Sequence, residues 1–361
     1  MIKKNWFQPV QPKPVCLGTG LVALDIVINS DADSNPRMWA GGSCGNVLTI
    51  LAFLGWESYP IARLGVDPAA GELIADIEKW KVKTTFVCKS RFGSTPIIVH
   101  KIGADYKGVP WHRFEWTCPQ CGSWLPRYRP VPLKDIERKS KGLDDLSPQV
   151  FYFDRSSPAA LELAKRTKET GTLVFFEPSG VGSRKVFSKC LEIADIVKYS
   201  HERMGHVQEL TGKAAIQLEI ETLGSEGARY KLSNGRGTPR WKDVKAYPVI
   251  QFKDSAGSGD WCSAGIIHLL SRSGVKAKVL TEKEVEDVLA FAQALAALNC
   301  SYEGARGLMY SVPKRRLDRL VSHVMQGRSP EISHEGLHQE KKVFELMCPR
   351  CRTGSRTDEQ L

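Results

Sequence analysis

Apolar and polar positions follow two rhythms that take turns along the chain. Val15 to Asn29, rich in Val, Leu and Ile, predicts a strand pair or one long strand. Gly41 to Gly45 then opens the run Asn46 to Gly55, where Val47, Leu48, Leu51 and Leu54 fall at helical spacing. Tyr59 to Gly65 predicts a strand, Pro68 to Trp80 an amphipathic helix, and Thr95 to Ile102 a strand whose weak alternation leaves its facing open. From Gln149 the alternation is regular. Strands are expected over Gln149 to Phe153, Thr172 to Phe176, Ile196 to Tyr199, Ala215 to Leu223 and Arg229 to Leu232. Helices are expected over Pro158 to Thr170, Val186 to Ala194, Glu202 to Leu210, Ser258 to Leu270 and Glu282 to Asn299. Strands interleaved with helices need crossover connections, which gives an α/β fold with a mainly parallel sheet. No internal repeat is visible.

The rhythm breaks between residues 101 and 142, which hold three of the nine tryptophans, several prolines, and nine Lys or Arg against four Asp or Glu. That stretch reads as an insertion and carries +5 of the net +11, so the charge is not a uniform basic surface. From Ser329 the chain is polar and reads as loosely attached until Phe344 and Cys348. Over 361 residues, 42% hydrophobic and 25% charged content excludes collagen, coiled coil and wholesale disorder. The uncharged stretch Val288 to Tyr302 has 15 residues, short of the roughly 18 to 20 that span a membrane. Met1 to Pro14 lacks the apolar core of a signal peptide. A cytoplasmic protein without membrane partners is the expectation.

The most informative run is Asp254-Ser-Ala-Gly-Ser-Gly-Asp260, followed by Ala264-Gly265. Gly257, Ser258 and Gly259 leave backbone N–H groups uncovered at a helix N-terminus, which favours an anion such as a transferring phosphate. Asp260 at the same mouth cannot ligate a phosphate, but it can accept a proton from an attacking hydroxyl. An isolated Gly-x-Gly-Asp is equally read as an Asp in a first helical turn, stabilised by the dipole. Other nucleotide motifs fail. Gly18-Thr-Gly20 precedes a strand-like segment where the dinucleotide fingerprint needs a helix, and reads as glycines in a sheet near ligand or backbone. Gly212-Lys213-Ala214 lacks the first Gly and the hydroxyl of a P-loop.

The surroundings of Asp260 resemble the ribokinase-like, or PfkB, carbohydrate kinase family. Asp254 to Asp260 with Ala264-Gly265 resembles its second signature. Gly41-Gly42-Ser-Cys-Gly-Asn46, Leu54-Gly55 and Leu64-Gly65-Val-Asp67 with Gly71 resemble its first. Thr222-Leu-Gly224-Ser-Glu-Gly227 and Ala290 to Gly304 are similar to its nucleotide-side turn and its late helix and loop. The resemblance covers roughly residues 15 to 320 without the insertion. It implies a ribokinase-like three-layer sandwich with a small β lid, organised as one large domain. The kinase domain would begin over 1–100 with sugar and lid segments and resume over 143–328 with the nucleotide site. An inserted segment (101–142) and a C-terminal tail (329–361) would complete the chain.

The resemblance also implies an ATP-dependent carbohydrate kinase that phosphorylates a hydroxymethyl group. Asp260 would be the base, and the amides of Ala256, Gly257, Ser258 and Gly259 the anion hole. Asp25, Gly41, Gly42 and Asn46 would hold the sugar. Ser200, Thr222, Gly224 and Gly227 would lie on the nucleotide side, and magnesium would arrive with ATP. Two departures stand out. Where the family often has Asn-x-x-Glu, this chain has Ser200-His-Glu-Arg203, with Glu202 one residue early and so about 100° round a helix. Ala256 replaces the signature's second Thr. Two alternatives follow: a nucleoside kinase, or a nucleic-acid- or protein-binding regulator on a weakened kinase scaffold.

Ten cysteines divide into six that stand singly, as buried thiols do in reducing compartments, and two CPxC pairs. Cys118, Cys121, Cys348 and Cys351 make two knuckles that could complete one four-thiolate structural zinc site, although 227 residues separate Cys121 from Cys348. Redox dithiols and separate intermolecular sites are the alternatives. Around the first knuckle, Trp111, His112, Arg113, Trp116, Trp124, Arg127, Tyr128 and Arg129 interleave rings and cations. They suit packing of a small zinc module or, as the less favoured reading, single-stranded nucleic acid. The region would shape the substrate mouth or form a homodimer contact through the lid.

Overall fold

A computed structural model describes residues 6–29, 36–212, 214–233, 238–272, 280–329 and 343–354. Most of the tail read as loosely attached, 330–342, lies outside them. The expected strand pair is present, but its halves belong to different sheets. Strand β1 (Val15–Thr19) enters the main sheet, and β2 (Ala23–Asn29) pairs antiparallel with β3 (Arg37–Gly41). Helix α1 (Ser43–Leu54) follows. The expected strand Tyr59 to Gly65 is likewise two, β4 (Glu57–Ile61) in the main sheet and β5 (Arg63–Gly65) outside it. Helix α2 (Pro68–Lys79) begins where the Asp67 side chain accepts from the Ala70 N–H. Next come β6 (Cys88–Ser90), which pairs with β5, then β7 (Ile97–Ala104) and β8 (Pro110–Glu115).

After the short helices α3 (Leu133–Arg138) and α4 (Ser140–Asp144), the α/β alternation runs β9 (Val150–Phe153), α5 (Pro158–Glu169), β10 (Leu173–Phe176), α6 (Arg184–Ile193), β11 (Ile196–Ser200). The helix expected over Glu202 to Leu210 is broken into α7 (His201–Met204) and α8 (Gln208–Thr211) by a 3₁₀ turn over Gly205–Val207. Glycine mid-helix costs about 1 kcal/mol relative to alanine, which weakens the periodic signal there. The sheet ends with β12 (Leu218–Thr222), β13 (Ala228–Leu232) and β14 (Trp241–Val244), and helices α9 (Ser258–Arg272), α10 (Glu282–Asn299), α11 (Gly307–Ser311), α12 (Lys314–Met325), α13 (Val343–Met347) and α14 (Pro349–Gly354) follow. Strand β14 and helices α11 to α14 were not expected from the pattern.

The main sheet has the order β14-β13-β12-β11-β10-β9-β1-β4, parallel from β12 to β4. Period-two alternation splits its side chains between two cores. Tyr152 and Phe175 join α1, α9, α10 and α12 on one face, while Phe151, Phe153 and Phe176 join α5 and α6 on the other. This makes three layers. A second sheet, β3-β2-β7-β8, stands apart as the lid and takes β8 from the basic, aromatic stretch.

Candidate functional site

The parallel strands aim their carboxyl ends at the junction of the main sheet, the lid and the N-terminus of α9. Asp25 reaches it from β2. Its side chain is buried, and its Oδ1 has no hydrogen-bond partner. Burial pushes its carboxyl up to about 6, while His100, Arg306 and the Gly42 amide work in the opposite direction. Gly41 lies so close that a Cβ there would sit 2.0 Å from that carboxylate. Gly42, with φ 77°, turns the chain into α1. From α1, buried Asn46 donates from Nδ2 to Asp260 Oδ2 at 2.7 Å and keeps its own Oδ1 unpaired. Buried polar atoms without partners are rare in folded proteins, so Asp25 Oδ1 and Asn46 Oδ1 mark where an outside donor, such as a hydroxyl, fits.

The loop before α9 supplies the opposite wall. Asp254 Oδ1 accepts from the Ala256 N–H at 2.9 Å, and the Ser258 N–H is directed to the Ser255 carbonyl at 3.2 Å. Two of the four amides expected to face an anion are therefore engaged within the loop. Gly257 and Gly259 precede the first intrahelical bond, from the Trp261 N–H to the Gly257 carbonyl, so helical geometry leaves their amides available. Gly257 has φ 72° and lies where a Cβ would come within 2.1 Å of the Ala305 carbonyl, so a side chain is excluded twice over. Asn299 of α10 fixes the loop from behind, donating to the Ala256 carbonyl at 2.9 Å.

Asp260 itself is buried, with 9% exposure. Burial, reinforced by the nearby negative charge of Glu177, pushes its carboxyl up to about 7; Asn46, Lys198 and Arg203 hold it from going higher. Such a group changes protonation state near neutrality, as a general base for a hydroxyl needs. Glu177, just beyond β10, and Lys198 of β11 belong to no motif read from sequence. Lys198 Nζ lies 2.5 Å from Glu177 Oε1 and donates to the Gly259 carbonyl at 3.1 Å. Glu177 Oε2 also accepts from Tyr152 and Ser263 at 2.8 and 2.5 Å. Burial alone would lower the Lys198 pKa, but the Glu177 partner raises it, so Lys198 is a cation tied to the loop. A lysine inside the apolar strand Ile196-Val-Lys-Tyr was the available sequence signal.

On the far side, Ser200 ends β11 and Thr222 ends the adjacent β12, in register with it. Gly224 lies in the turn after β12 with open space where a side chain would point, and Gly227 packs against the Val244 carbonyl. Glu202 and Arg203 are exposed, and Arg203 acts on Asp260 through space. The place in α7 where the sequence resemblance leads to the expectation of an acid thus carries Arg203, while Glu177 stands near Asp260 from the end of β10.

The two CPxC units come together. Cys118 Sγ is 3.8 Å from Cys351 Sγ, Cys121 Sγ is 3.7 Å from Cys348 Sγ, and all four sulfurs lie within 4.8 Å of one another. The first knuckle closes through the Gly122 N–H to the Cys118 carbonyl at 2.9 Å. Its rings pack less than expected: Trp116 and Trp124 are exposed, and Arg127 stacks over Trp124 at 4.1 Å. Cys118 and Leu125, with Val343, Phe344, Met347 and Cys348, instead join the main core, which removes the need for a separate one.

A family model for "pfkB family carbohydrate kinase" matches residues 149–311. The ATP-dependent ribose-1-phosphate kinase of Halopiger xanaduensis is 25% identical over 306 residues, which cover 80% of this chain and 93% of that protein. The fold is similar to fructokinase with bound ATP from Xylella fastidiosa, with a TM-score of 0.62 and 18% identity over 81% of this chain and 93% of that one. It is also similar to Burkholderia thailandensis nucleoside kinase in complex with inosine, with a TM-score of 0.62 and 15% identity over 87% of this chain and 99% of that one. The architecture is ribokinase-like, with a mainly parallel central sheet.

Proposed function

Taking the chain as a carbohydrate kinase supported by the pfkB match, we propose that it transfers the γ-phosphate of ATP to a hydroxymethyl group of a sugar or sugar-like acceptor. The observation that carries this reading is the Asn46–Asp260 hydrogen bond, which joins the acceptor side to the helix mouth of α9. Asp25 and Asn46 offer their unpaired oxygens to acceptor hydroxyls, and the tight approach of Gly41 keeps that pocket open. Asp260 accepts the proton of the attacking hydroxyl. The oxygen so activated forms its bond to the γ-phosphorus, the bond to the β,γ-bridging oxygen breaks, and ADP leaves with that electron pair. The Gly257 and Gly259 amides stabilise the charge developing on the phosphate, with Ala256 and Ser258 shaping the loop. Ser200, Thr222, Gly224 and Gly227 line the nucleotide side.

Magnesium accompanies ATP and neutralises phosphate charge. The Ser200 hydroxyl at the end of β11 is an oxygen donor that suits that hard cation, whereas both oxygens of Glu177 are held by Lys198, Tyr152 and Ser263. The four cysteines form a closed shell whose chemistry suits zinc with no open position, so that metal is structural. Exposed Trp111 on β8 supports a lid contact between two copies of the chain.

The test is ADP release from MgATP with a panel of D-ribose, D-fructose, D-ribose 1-phosphate and inosine. At least one acceptor is expected to raise ADP release well above the acceptor-free rate. A full panel with no such rise, extended to further sugars and nucleosides, would overturn the kinase reading.

A further inference from the structure

Two lid histidines lie outside every motif that the function absorbs. In the antiparallel pair of β7 and β8, His100 is opposite Phe114 and Ile102 is opposite His112, so all four share one face of the lid sheet. That face meets the loop before α9. His112 Nδ1 is 2.9 Å from Asp254 Oδ1, and His100 Nε2 is 3.5 Å from Asp254 Oδ2. Each oxygen of Asp254 also accepts one backbone N–H, from Ala256 at 2.9 Å and from Gly304 at 2.8 Å. One carboxylate thus gathers two loops and two lid strands. Burial would push its pKa up, but the two histidines beside it and the Ala256 N–H hold it well below the usual carboxylate range. His100 is buried, is stacked on Phe114 at 4.6 Å, and also acts on Asp25 through space.

We propose that His100 and His112 are positioning residues, a latch that ties the lid sheet to the anion-hole loop through Asp254. Asp25 lies on β2, hydrogen-bonded in parallel to β7, with Asp25 opposite Ile98 and Val27 opposite His100. The acceptor-binding carboxylate and the amides of Gly257 and Gly259 are thereby fixed relative to one another. Misplacing reacting groups by about an ångström is expensive in turnover, so a lid free to slide would bind its ligands and react slowly. The effect on turnover rests on the kinase reading, but the latch itself does not. His112 is the closed half. His100, at 3.5 Å and without a hydrogen bond from Nε2, is the half that a small inward movement of the lid completes.

Hydrogen exchange of the full chain, followed by mass spectrometry, reads the latch without any ligand. In His112→Ala, peptides covering 254–260 are expected to exchange about tenfold faster than in the unaltered chain, with β9 to β11 unchanged. His112→Asn, whose amide nitrogen replaces Nδ1, restores protection. His100→Ala has a smaller effect, and His100→Gln restores it. With the best acceptor of the panel, kcat in His112→Ala falls about tenfold, while KM for ATP stays within about twofold. Unchanged exchange in both alanine variants overturns the latch. Faster exchange with unchanged kcat overturns the positioning role. An Asn variant no better than Ala shows that ring packing, not the hydrogen bond, was responsible, and also overturns it. Zinc retained stoichiometrically after loss of all four cysteines would replace the latch by a metal at His100, His112 and Asp254, whose ligand atoms lie within 4.8 Å of one another. If the unaltered chain phosphorylates nothing, the kinase reading fails while the exchange result still decides the latch.

Discussion

Asp260 meets Asn46 across 214 residues of chain, and Cys121 meets Cys348 across 227, yet the two junctions are held by different means. Around Asp260 the contacts are strong and internal: an amide to a carboxylate, and a lysine bridging a glutamate and a backbone carbonyl. Among the cysteines the contacts are sulfur-to-sulfur approaches of 3.7 and 3.8 Å between weak donors and acceptors. The first junction is preorganised by the protein alone. The second would gain its strength from the zinc proposed above. Chemistry and anchoring are therefore separable in this molecule, and perturbing each should leave a different trace.

The largest effect should come from Asp260→Asn, which keeps the shape and removes the proposed base. Turnover is expected to fall about 10³-fold or more, and persistence of turnover within tenfold would refute the assignment. Stability should move the other way. A buried Asp whose folded pKa is raised to about 7 contributes stability below its unfolded value that is lost as pH rises through 7. At pH 8 the ionised carboxylate is thus a cost that Asn avoids, so Tm rises in the variant at pH 8, and by less at pH 5. The cysteine junction predicts the reverse pairing. Cys348→Ser with Cys351→Ser should abolish zinc in elemental analysis, lower Tm by about 5 °C, and reduce kcat far less than Asp260→Asn. Unchanged zinc content would contradict a shared site.

The same contrast explains what could be read from the chain. The Asp254 to Asp260 loop was legible because seven consecutive residues encode it, whereas Asp25, Gly41 and Asn46 were named only through the resemblance to a known family, since no local pattern joins a mid-strand acid to a helix start. The cysteine pairs were legible as knuckles because Cys-Pro-x-Cys is self-contained. Glu177 and Lys198 were not, since each is a single polar residue at or inside an apolar strand, and only the order of β10 and β11 brings them to Asp260. His100 and His112 depended on strand register in the same way. Helix α12 was missed although Leu317, Leu320, Val321 and Val324 repeat at helical spacing, because five charged residues between Lys314 and Arg319 mask the stripe. Strand β14 is short and polar at its centre, and it exists by pairing with β13.

A middle-sized effect tests the electrostatics around the base. Activity should rise with pH through about 7 as Asp260 loses its proton. Glu177 is the largest charge pushing that transition up, so Glu177→Gln should move the midpoint to lower pH, with some loss of kcat from loosened loop contacts. Lys198→Met removes a stabilising cation and leaves Glu177 unpaired, so its midpoint should move to higher pH. Midpoints that stay fixed in both variants would show that the profile reports another group.

The smallest effect concerns Arg203, a cation where the sequence resemblance leads to the expectation of an acid. It is exposed and touches Asp260 only through space, where it favours the ionised base. Arg203→Glu should therefore raise the midpoint by a few tenths of a pH unit at low ionic strength. Because the guanidinium is solvated, that shift should shrink at about 0.5 M salt, where the screening length falls to a few ångströms. The shifts from buried Lys198 and half-buried Glu177, paired with each other beside Asp260, should survive the same salt. A salt-resistant Arg203 shift would place its guanidinium inside the site with ATP bound, converting it from a distant charge into a phosphate ligand. A salt-sensitive one leaves the protein-held junction around Asp260 complete without it.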